Sequence, residues 1–258
     1  MMLRSRLIPC LLIQNGDLVK TINFDSPKYV GDPINAVRIY NEKEADELMV
    51  VDIDATAKGF EPDYQMISRL AAECRMPLCY GGGVSNVAQI EKIIGLGVEK
   101  VAVGSAAVKT PKLISDAASR VGSQSVVVVI DVKKTGWLRY YEVVTHNGSC
   151  RTGIDPIEFA RQLDALGAGE LVINSVDRDG VMKGYDFELI EQIREAVHLP
   201  LTALGGAGSP DDIAELIRRY GIIGAGVGSL FVFKGKYRAV LINYPNRAEK
   251  DALMLKDF

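Results

Sequence analysis

One carboxylate of the chain, Asp131, directly follows an uninterrupted apolar run over residues 126–130. Five apolar, mostly β-branched residues in a row are typical of a strand buried on both faces, as in parallel sheets. A carboxylate at the C-terminal end of such a strand lies where α/β barrels hold their catalytic groups. Asp131 is therefore a candidate acid or base, with an aspartate that caps the next turn as the alternative.

Glycine-rich segments indicate two places for an anion. Glycine lets the backbone approach a phosphate closely, and the N–H groups at the start of a following helix point towards the anion. Two such places predict a substrate with a phosphate at each end, and tight turns that require glycine are the alternative. The candidate ligands are Gly82, Gly83, Gly104 and Ser105 for one phosphate and Gly206, Gly208, Gly228 and Ser229 for the other.

Four charged residues stand at the starts of predicted strands, namely Arg6, Glu47, Lys100 and Glu170. If their side chains point inward, two cations and two anions meet at the N-terminal end of the strands. Buried charges need partners, and this set is balanced. The alternative is four ordinary exposed residues at the ends of loops.

Eight strand patterns alternate with helical patterns along the chain. Asp, Thr or Ser followed by proline predicts a helix start at 32–33, 110–111, 155–156 and 209–210. Eight β-then-α units predict an α/β chain with a single (β/α)8 TIM barrel over residues 1–258, and a doubly wound sheet is the alternative. The strands are predicted over 7–12, 47–52, 77–80, 100–103, 125–131, 170–175, 200–203 and 225–228.

The two halves of the chain resemble each other. The segment from Tyr80 to Ser105 is echoed from Leu204 to Ser229 at a constant offset of 124 residues. Several independent matches at nearly constant spacing predict two similar half-barrels over residues 1–122 and 123–235, followed by a C-terminal tail over 236–258.

Composition excludes several classes of protein. A net charge of −3 gives no basis for binding nucleic acid or an anionic membrane. Four cysteines without CxxC spacing and two histidines make a zinc site improbable and fit reduced thiols in a cytoplasmic protein, so we expect no metal and no cofactor. The N-terminal apolar stretch lacks a signal-peptide cleavage site, and no run approaches the roughly 20 apolar residues of a membrane span.

The motifs together resemble the cyclase subunit of imidazole glycerol phosphate synthase over residues 4–235. The matching motifs include Ile8-Pro9-Cys10-Leu11, Gly81-Gly82-Gly83, Val129-Ile130-Asp131, Ser175-Val176-Asp177-Arg178-Asp179-Gly180 and Gly205-Gly206-Ala207-Gly208. This resemblance implies a lyase/cyclase that docks a glutaminase on the N-terminal face of the barrel and receives ammonia through it. It assigns the gate for ammonia to Arg6, Glu47, Lys100 and Glu170. It also makes Asp131 one of two catalytic aspartates acting on a phosphorylated substrate.

The chain departs from the pattern of that family in three places. Leu12 stands where the family has the second catalytic aspartate, and Gly104 stands where it usually has asparagine. Residues 231–245 do not look like the usual final helix. Leu12 and this tail resemble the paralogous branch associated with amidation of surface-polysaccharide sugars, in which a separate sugar amidotransferase receives the ammonia and is a further candidate partner.

Three functions remain open from the sequence. The first is an ammonia-channelling partner of a glutaminase, specialised towards sugar amidation. The second is the ordinary cyclase of histidine biosynthesis, with water or Asp17 acting in place of Leu12. The third is a non-catalytic, ammonia-conducting scaffold. Trp137, Tyr140 and Tyr141 are predicted to pack in a hairpin after the fifth strand, and His146 is predicted to be a loop residue without a catalytic role.

Overall fold

The computed structural model describes residues 4–137 and 139–255. The predicted first half-barrel includes residues 1–3 and the predicted tail includes residues 256–258, and both of these segments lie outside the described residues. The strands are β1 (Arg6–Gln14), β2 (Asp17–Ile22), β3 (Asp25–Gly31), β4 (Leu48–Asp52), β5 (Leu78–Gly81), β6 (Lys100–Val103), β7 (Val126–Thr135), β8 (Tyr140–Thr145), β9 (Cys150–Arg151), β10 (Glu170–Ser175), β11 (Leu201–Leu204), β12 (Gly224–Val227), β13 (Phe233–Lys234) and β14 (Ala239–Val240). The helices are α1 (Pro33–Glu42), α2 (Ile53–Lys58), α3 (Tyr64–Glu73), α4 (Val87–Gly95), α5 (Ser105–Lys109), α6 (Lys112–Val121), α7 (Pro156–Ala165), α8 (Phe187–Ala196), α9 (Pro210–Tyr220) and α10 (Arg247–Leu255).

Eight parallel strands close into a barrel, as predicted. They pair in the order β1, β4, β5, β6, β7, β10, β11 and β12, and β12 pairs with β1 to complete the cylinder. The register places Asp131 beside Asn174 and Ile13 beside Asp52, so the C-terminal ends of the strands meet at one rim. The predicted (β/α)8 barrel is therefore confirmed, and the alternative of a doubly wound sheet is excluded.

The barrel strands are apolar because both of their faces are covered. Alternate residues point to opposite faces of a strand. Outward side chains such as Leu7 and Leu11 pack beneath the helices in the main core. Inward side chains form a separate cluster within the barrel, made of Ile8, Cys10, Met49, Cys79, Ala102, Val127 and Val172. The axis of the barrel is thus lined by apolar side chains and two thiols.

Three of the four predicted Pro-containing helix starts are confirmed. The side chains of Asp32, Asp155 and Ser209 each accept a backbone N–H of the following helix, with proline in the first turn. At the fourth start the helix predicted from Lys112 is present as α6, but its N-cap is Pro111 and it has no side-chain cap hydrogen bond. Thr110 is instead the C-cap of α5.

Antiparallel strands extend the C-terminal rim. Strands β2 and β3 fold back from β1, strands β8 and β9 fold back from β7, and β13 pairs with β14. The predicted hairpin after the fifth barrel strand is present, but the prediction that Trp137 packs there is wrong, since its side chain is 95% exposed at the turn. Within the described ranges, no helix has the length and apolar character needed to cross a membrane.

Candidate active site

A large cavity opens at the C-terminal rim of the barrel. It encloses about 1300 Å³, part of which is open to solvent. It is lined by nearly all of the residues predicted to bind or transform a substrate, namely Gly82, Gly83, Gly104, Ser105, Asp131, Gly206, Gly228 and Ser229. Gly208 is the exception and lies outside the lining. Residues from the two halves of the sequence therefore meet around one space.

Asp131 faces this cavity from β7, at the point where this strand begins to pair with β8. Asn174 Nδ2 donates to Asp131 Oδ1 at 2.9 Å, and this is the one hydrogen bond that the carboxyl group accepts within the described part of the chain. Burial raises the pKa of Asp131 to about 7; the bond from Asn174 opposes the rise, and the charge of Asp179 adds to it. A carboxyl group that titrates near neutral pH can both accept and donate a proton, which general acid–base catalysis requires.

Leu12 lines the same cavity from the end of β1. It pairs with Val19 on β2 and with Val51 on β4, so it is held between two strands. A leucine side chain can neither donate nor accept a proton. Asp17 does not replace it, because Asp17 is exposed at the start of β2 and is not part of the cavity lining.

Two further carboxylates line the cavity, but both are occupied by the fold. Asp52 caps α2, accepting from the backbone N–H groups of Asp54 at 2.9 Å and Ala55 at 3.1 Å. Asp179 accepts from Thr21 Oγ1 at 2.7 Å and from the backbone N–H of Phe24 at 3.3 Å. Of these three cavity carboxylates, Asp131 therefore accepts the fewest hydrogen bonds from the fold.

The glycine loops are shaped by close backbone packing. Gly82 has φ 115° and Gly206 has φ 110°, and a Cβ at either position would collide with the backbone of Asp52 or Gly184. The fold itself thus requires glycine there, so these residues alone do not establish a phosphate site. The backbone N–H of Gly208 already donates to Asp212 Oδ2 at 2.8 Å, which leaves it with no free donor for a phosphate.

Lys20, on β2, is a cavity residue that the sequence interpretation missed. Its ammonium group is buried and donates to the carbonyl oxygen of Cys10, and a Cβ on Gly228 would lie 3.0 Å from Lys20 Nζ. Burial lowers the pKa of Lys20, while Asp179 opposes this effect. The signal that could have found it is Asn15-Gly16, a two-residue hairpin turn that folds β2 back onto β1.

His146 also reaches the cavity. It lies in the turn between β8 and β9, is exposed, and its backbone N–H donates to Ser105 Oγ at 3.5 Å. The prediction of a loop residue is confirmed, and the imidazole also belongs to the cavity lining. No group of three or more His, Cys, Asp or Glu side chains within 4–137 and 139–255 is arranged to hold a metal ion.

The four predicted gate residues meet at the opposite end of the barrel. Arg6 binds Glu47 and, through Nη2, Glu170 Oε1 at 2.8 Å. Lys100 Nζ lies 2.8 Å from Glu47 Oε1 and 2.9 Å from Glu170 Oε2. Each cation thus contacts both anions in a closed ring, and Thr202 Oγ1 also donates to Glu170 Oε1 at 2.6 Å.

Opposite charges within this ring counteract the effect of burial on the pKa values of Glu170 and Lys100. Burial acts to raise the pKa of Glu170, but Arg6 and Lys100 lower it below its usual range. Burial acts to lower the pKa of Lys100, but Glu170 and Glu47 raise it. The ring therefore favours the charged forms of Arg6, Lys100 and Glu170, and removal of any one of these groups would leave a buried charge without one of its partners.

Comparisons with known proteins place this geometry in a family. The model of the family described as "Histidine biosynthesis protein" matches residues 6–238. A Leptospira interrogans protein named "Putative imidazole glycerol phosphate synthase subunit HisF" is 56% identical over 252 residues, covering 98% of this chain and 99% of that protein. Proteins given the same description as subunits hisF3 of Vibrio vulnificus and hisF2 of Pseudomonas aeruginosa are 56% and 51% identical, and this chain covers 96% and 97% of them. The chain therefore belongs to the histidine biosynthesis protein family, among relatives of the cyclase subunit of imidazole glycerol phosphate synthase.

Proposed function

We propose that this chain is the synthase subunit of a glutamine amidotransferase complex and delivers ammonia from a glutaminase to the C-terminal rim of the barrel. The observation that carries the proposal is the closed ring of Arg6, Glu47, Lys100 and Glu170 at the end of the barrel opposite the cavity. The glutaminase docks at this end, and the ring is the gate through which ammonia enters.

The lining of the barrel supports passage of a neutral molecule. The residues between the ring and the cavity are apolar side chains and the thiols of Cys10 and Cys79. Burial raises the pKa of Cys10 to about 12, so this thiol stays neutral. An apolar lining disfavours hydrated ions far more than uncharged ammonia, because an unpaired charge is expensive to desolvate.

The C-terminal rim supports a phosphorylated substrate. Backbone turns at Gly82–Gly83 and Gly104–Ser105 form one phosphate site, and those at Gly206 and Gly228–Ser229 form the other, with the ammonium of Lys20 beside Gly228. Asp131 acts in the acid and base steps, since its pKa is raised to about 7.

The absence of a carboxylate at Leu12 supports specialisation away from histidine synthesis. Loss of one acid–base group typically lowers a rate by about 10²–10⁴-fold. We propose that this cytoplasmic complex supplies ammonia for amidating a surface-polysaccharide sugar. A separate sugar amidotransferase takes up the ammonia, so slow chemistry within the barrel is tolerated.

The test is an assay of the purified barrel with ammonia and the ribulosyl-formimino carboxamide ribonucleotide that the cyclase of histidine biosynthesis uses. A turnover about 10²-fold or more below that of a histidine-pathway cyclase supports the specialisation. Comparable turnover contradicts the specialisation but not the proposal that the barrel uses ammonia.

The second candidate is the ordinary cyclase of histidine biosynthesis. The observation that favours it is the names of the relatives that cover this chain, which describe them as subunits of imidazole glycerol phosphate synthase. Rescue of a histidine auxotroph by the wild-type chain would support this candidate. Failure of rescue at normal expression would count against it.

A further inference from the structure

The C-terminal hairpin brings an arginine to one edge of the cavity. Phe233 pairs with Val240, Lys234 pairs with Ala239, and the turn between them contains Arg238 at φ 49°. The N–H of Leu241 donates to the carbonyl of Val232 at 2.9 Å and extends the hairpin by one rung. The segment that follows is tied to the barrel, because Tyr244 Oη donates to the carbonyl of Leu7 on β1 at 3.0 Å.

The guanidinium of Arg238 packs against Phe233, and Lys28 holds the backbone of Arg238. Its Cζ lies 4.9 Å from the ring centroid of Phe233, and Lys28 Nζ lies 5.0 Å from the same centroid. Lys28 Nζ also donates to the carbonyl oxygen of Arg238 at 3.1 Å. This packing fixes a planar cation that would otherwise be a mobile surface side chain.

The same guanidinium contacts two residues that line the cavity. Arg238 Nη2 donates to Ser229 Oγ at 3.3 Å and to the carbonyl oxygen of Gly180 at 3.4 Å. Neither acceptor is a carboxylate, and Nε is buried without a hydrogen-bond partner among residues 4–137 and 139–255. The positive charge of Arg238 is therefore not neutralised by the hydrogen bonds it makes.

The bond to Ser229 has a chemical consequence for the hydroxyl group. Ser229 is 4% exposed, and its oxygen accepts from Arg238. A serine hydroxyl has one proton to donate, and this arrangement leaves that proton for an acceptor in the cavity. Lys20 Nζ, next to Gly228, adds a second cation at the same place.

We propose that Arg238 is a positioning residue of the phosphate site at Gly206, Gly228 and Ser229. It orients the Ser229 hydroxyl towards a phosphate monoester and supplies positive charge behind that hydroxyl. This inference rests on the proposed phosphate-binding function of the loop. It adds that the C-terminal hairpin, which does not belong to the barrel, completes the site.

The test measures the binding of inorganic phosphate by isothermal titration calorimetry in the full-length protein. Arg238→Ala is expected to raise the dissociation constant of this site by about tenfold or more, as loss of a charged hydrogen-bond donor does. Arg238→Lys keeps the charge but loses the planar fork, and is expected to recover part of the affinity. Lys236→Ala removes an exposed cation from the same turn and is the matched control, with wild-type affinity expected.

A double-mutant cycle separates positioning from a general structural effect. The effect of Arg238→Ala is expected to be largely lost in a Ser229→Ala background and fully kept in a Ser105→Ala background, since Ser105 belongs to the other site. Equal phosphate affinity in wild type and Arg238→Ala would overturn this inference and leave the phosphate sites standing. Absence of phosphate binding to the wild-type protein would overturn both.

Discussion

Leu12 and Asp131 line the same cavity from opposite sides of the barrel. Leu12 lies on β1 and Asp131 lies on β7, and these strands are four positions apart in either direction around the eight-stranded cylinder. One wall of the cavity therefore carries a carboxyl group with its pKa raised to about 7, and the facing wall carries hydrocarbon. Of these two facing residues, only Asp131 can therefore transfer a proton.

The pKa of Asp131 predicts a pH-dependent cost to folding. Its folded pKa of about 7 exceeds the value of about 3.9 for an unperturbed aspartate, so the folded state holds a proton that the unfolded state releases between these values. Stability should therefore fall as the pH rises through this window. Asp131→Asn should remove this term and stabilise the protein by on the order of 1–3 kcal/mol at pH 8 and much less at pH 5.

Urea unfolding at the two pH values measures this effect. Asp116→Asn, at an exposed carboxylate on α6, is the control and should leave the pH dependence unchanged. Identical pH dependence in wild type and Asp131→Asn would show that the carboxyl group is not perturbed.

The ring at the N-terminal end predicts a difference between two nitrogen sources. Glu170→Gln keeps the shape of the side chain but removes one of the two anions that hold Arg6 and Lys100. In a complex with the glutaminase, glutamine-dependent turnover should fall by about tenfold or more, because loss of a buried charge partner is costly. Turnover with added ammonium, which can enter from the open rim, should stay nearly unchanged.

The matched control for this prediction is Glu215→Gln, which breaks an exposed ion pair with Arg219 on α9. Exposed pairs contribute little, so both rates should stay at the wild-type level. A parallel fall of the glutamine- and ammonium-dependent rates in Glu170→Gln would indicate a purely structural ring.

Lys20 predicts that binding and stability can be separated. Lys20→Met keeps the length of the side chain and removes a buried ammonium whose pKa is lowered by burial. The free energy of unfolding should change by no more than about 1 kcal/mol, because relief of desolvation offsets the lost hydrogen bond to Cys10. Affinity for inorganic phosphate should fall by about tenfold.

Chemical denaturation and calorimetry check the two halves of this prediction. Lys109→Met removes an exposed lysine and should leave both quantities unchanged. Unchanged phosphate affinity in Lys20→Met would exclude Lys20 from the anion site.

The barrel was predictable from the sequence because its strands have a recognisable apolar pattern. The apolar run before Asp131 requires burial on both faces, and only a few architectures provide it. Parallel strands with a common direction then bring Asp131 to the C-terminal rim and Glu170 to the N-terminal end. The contact of Glu170 with Arg6 and Lys100 follows from that topology and from charge balance.

The rest of the site depends on contacts that periodicity does not encode. Lys20 enters the cavity only because the Asn15-Gly16 turn folds β2 across the rim. Arg238 reaches Ser229 through a hairpin whose two-residue strands are too short to show alternation. Trp137 lies in the β7–β8 turn and is 95% exposed, although a large aromatic residue usually predicts burial.

Placing a carboxylate at Leu12 gives the most direct test that the barrel has lost an acid–base group. Turnover of the ribulosyl-formimino carboxamide ribonucleotide with ammonia should be compared among wild type, Leu12→Asp and Leu12→Asn, with circular dichroism to show that each is folded. Leu12→Asp should raise turnover by at least about tenfold, and Leu12→Asn, with the same shape but no acid–base group, should not. Equal turnover in wild type and Leu12→Asp, at a rate typical of a histidine-pathway cyclase, would contradict the claim that this barrel has lost half of its proton-transfer machinery.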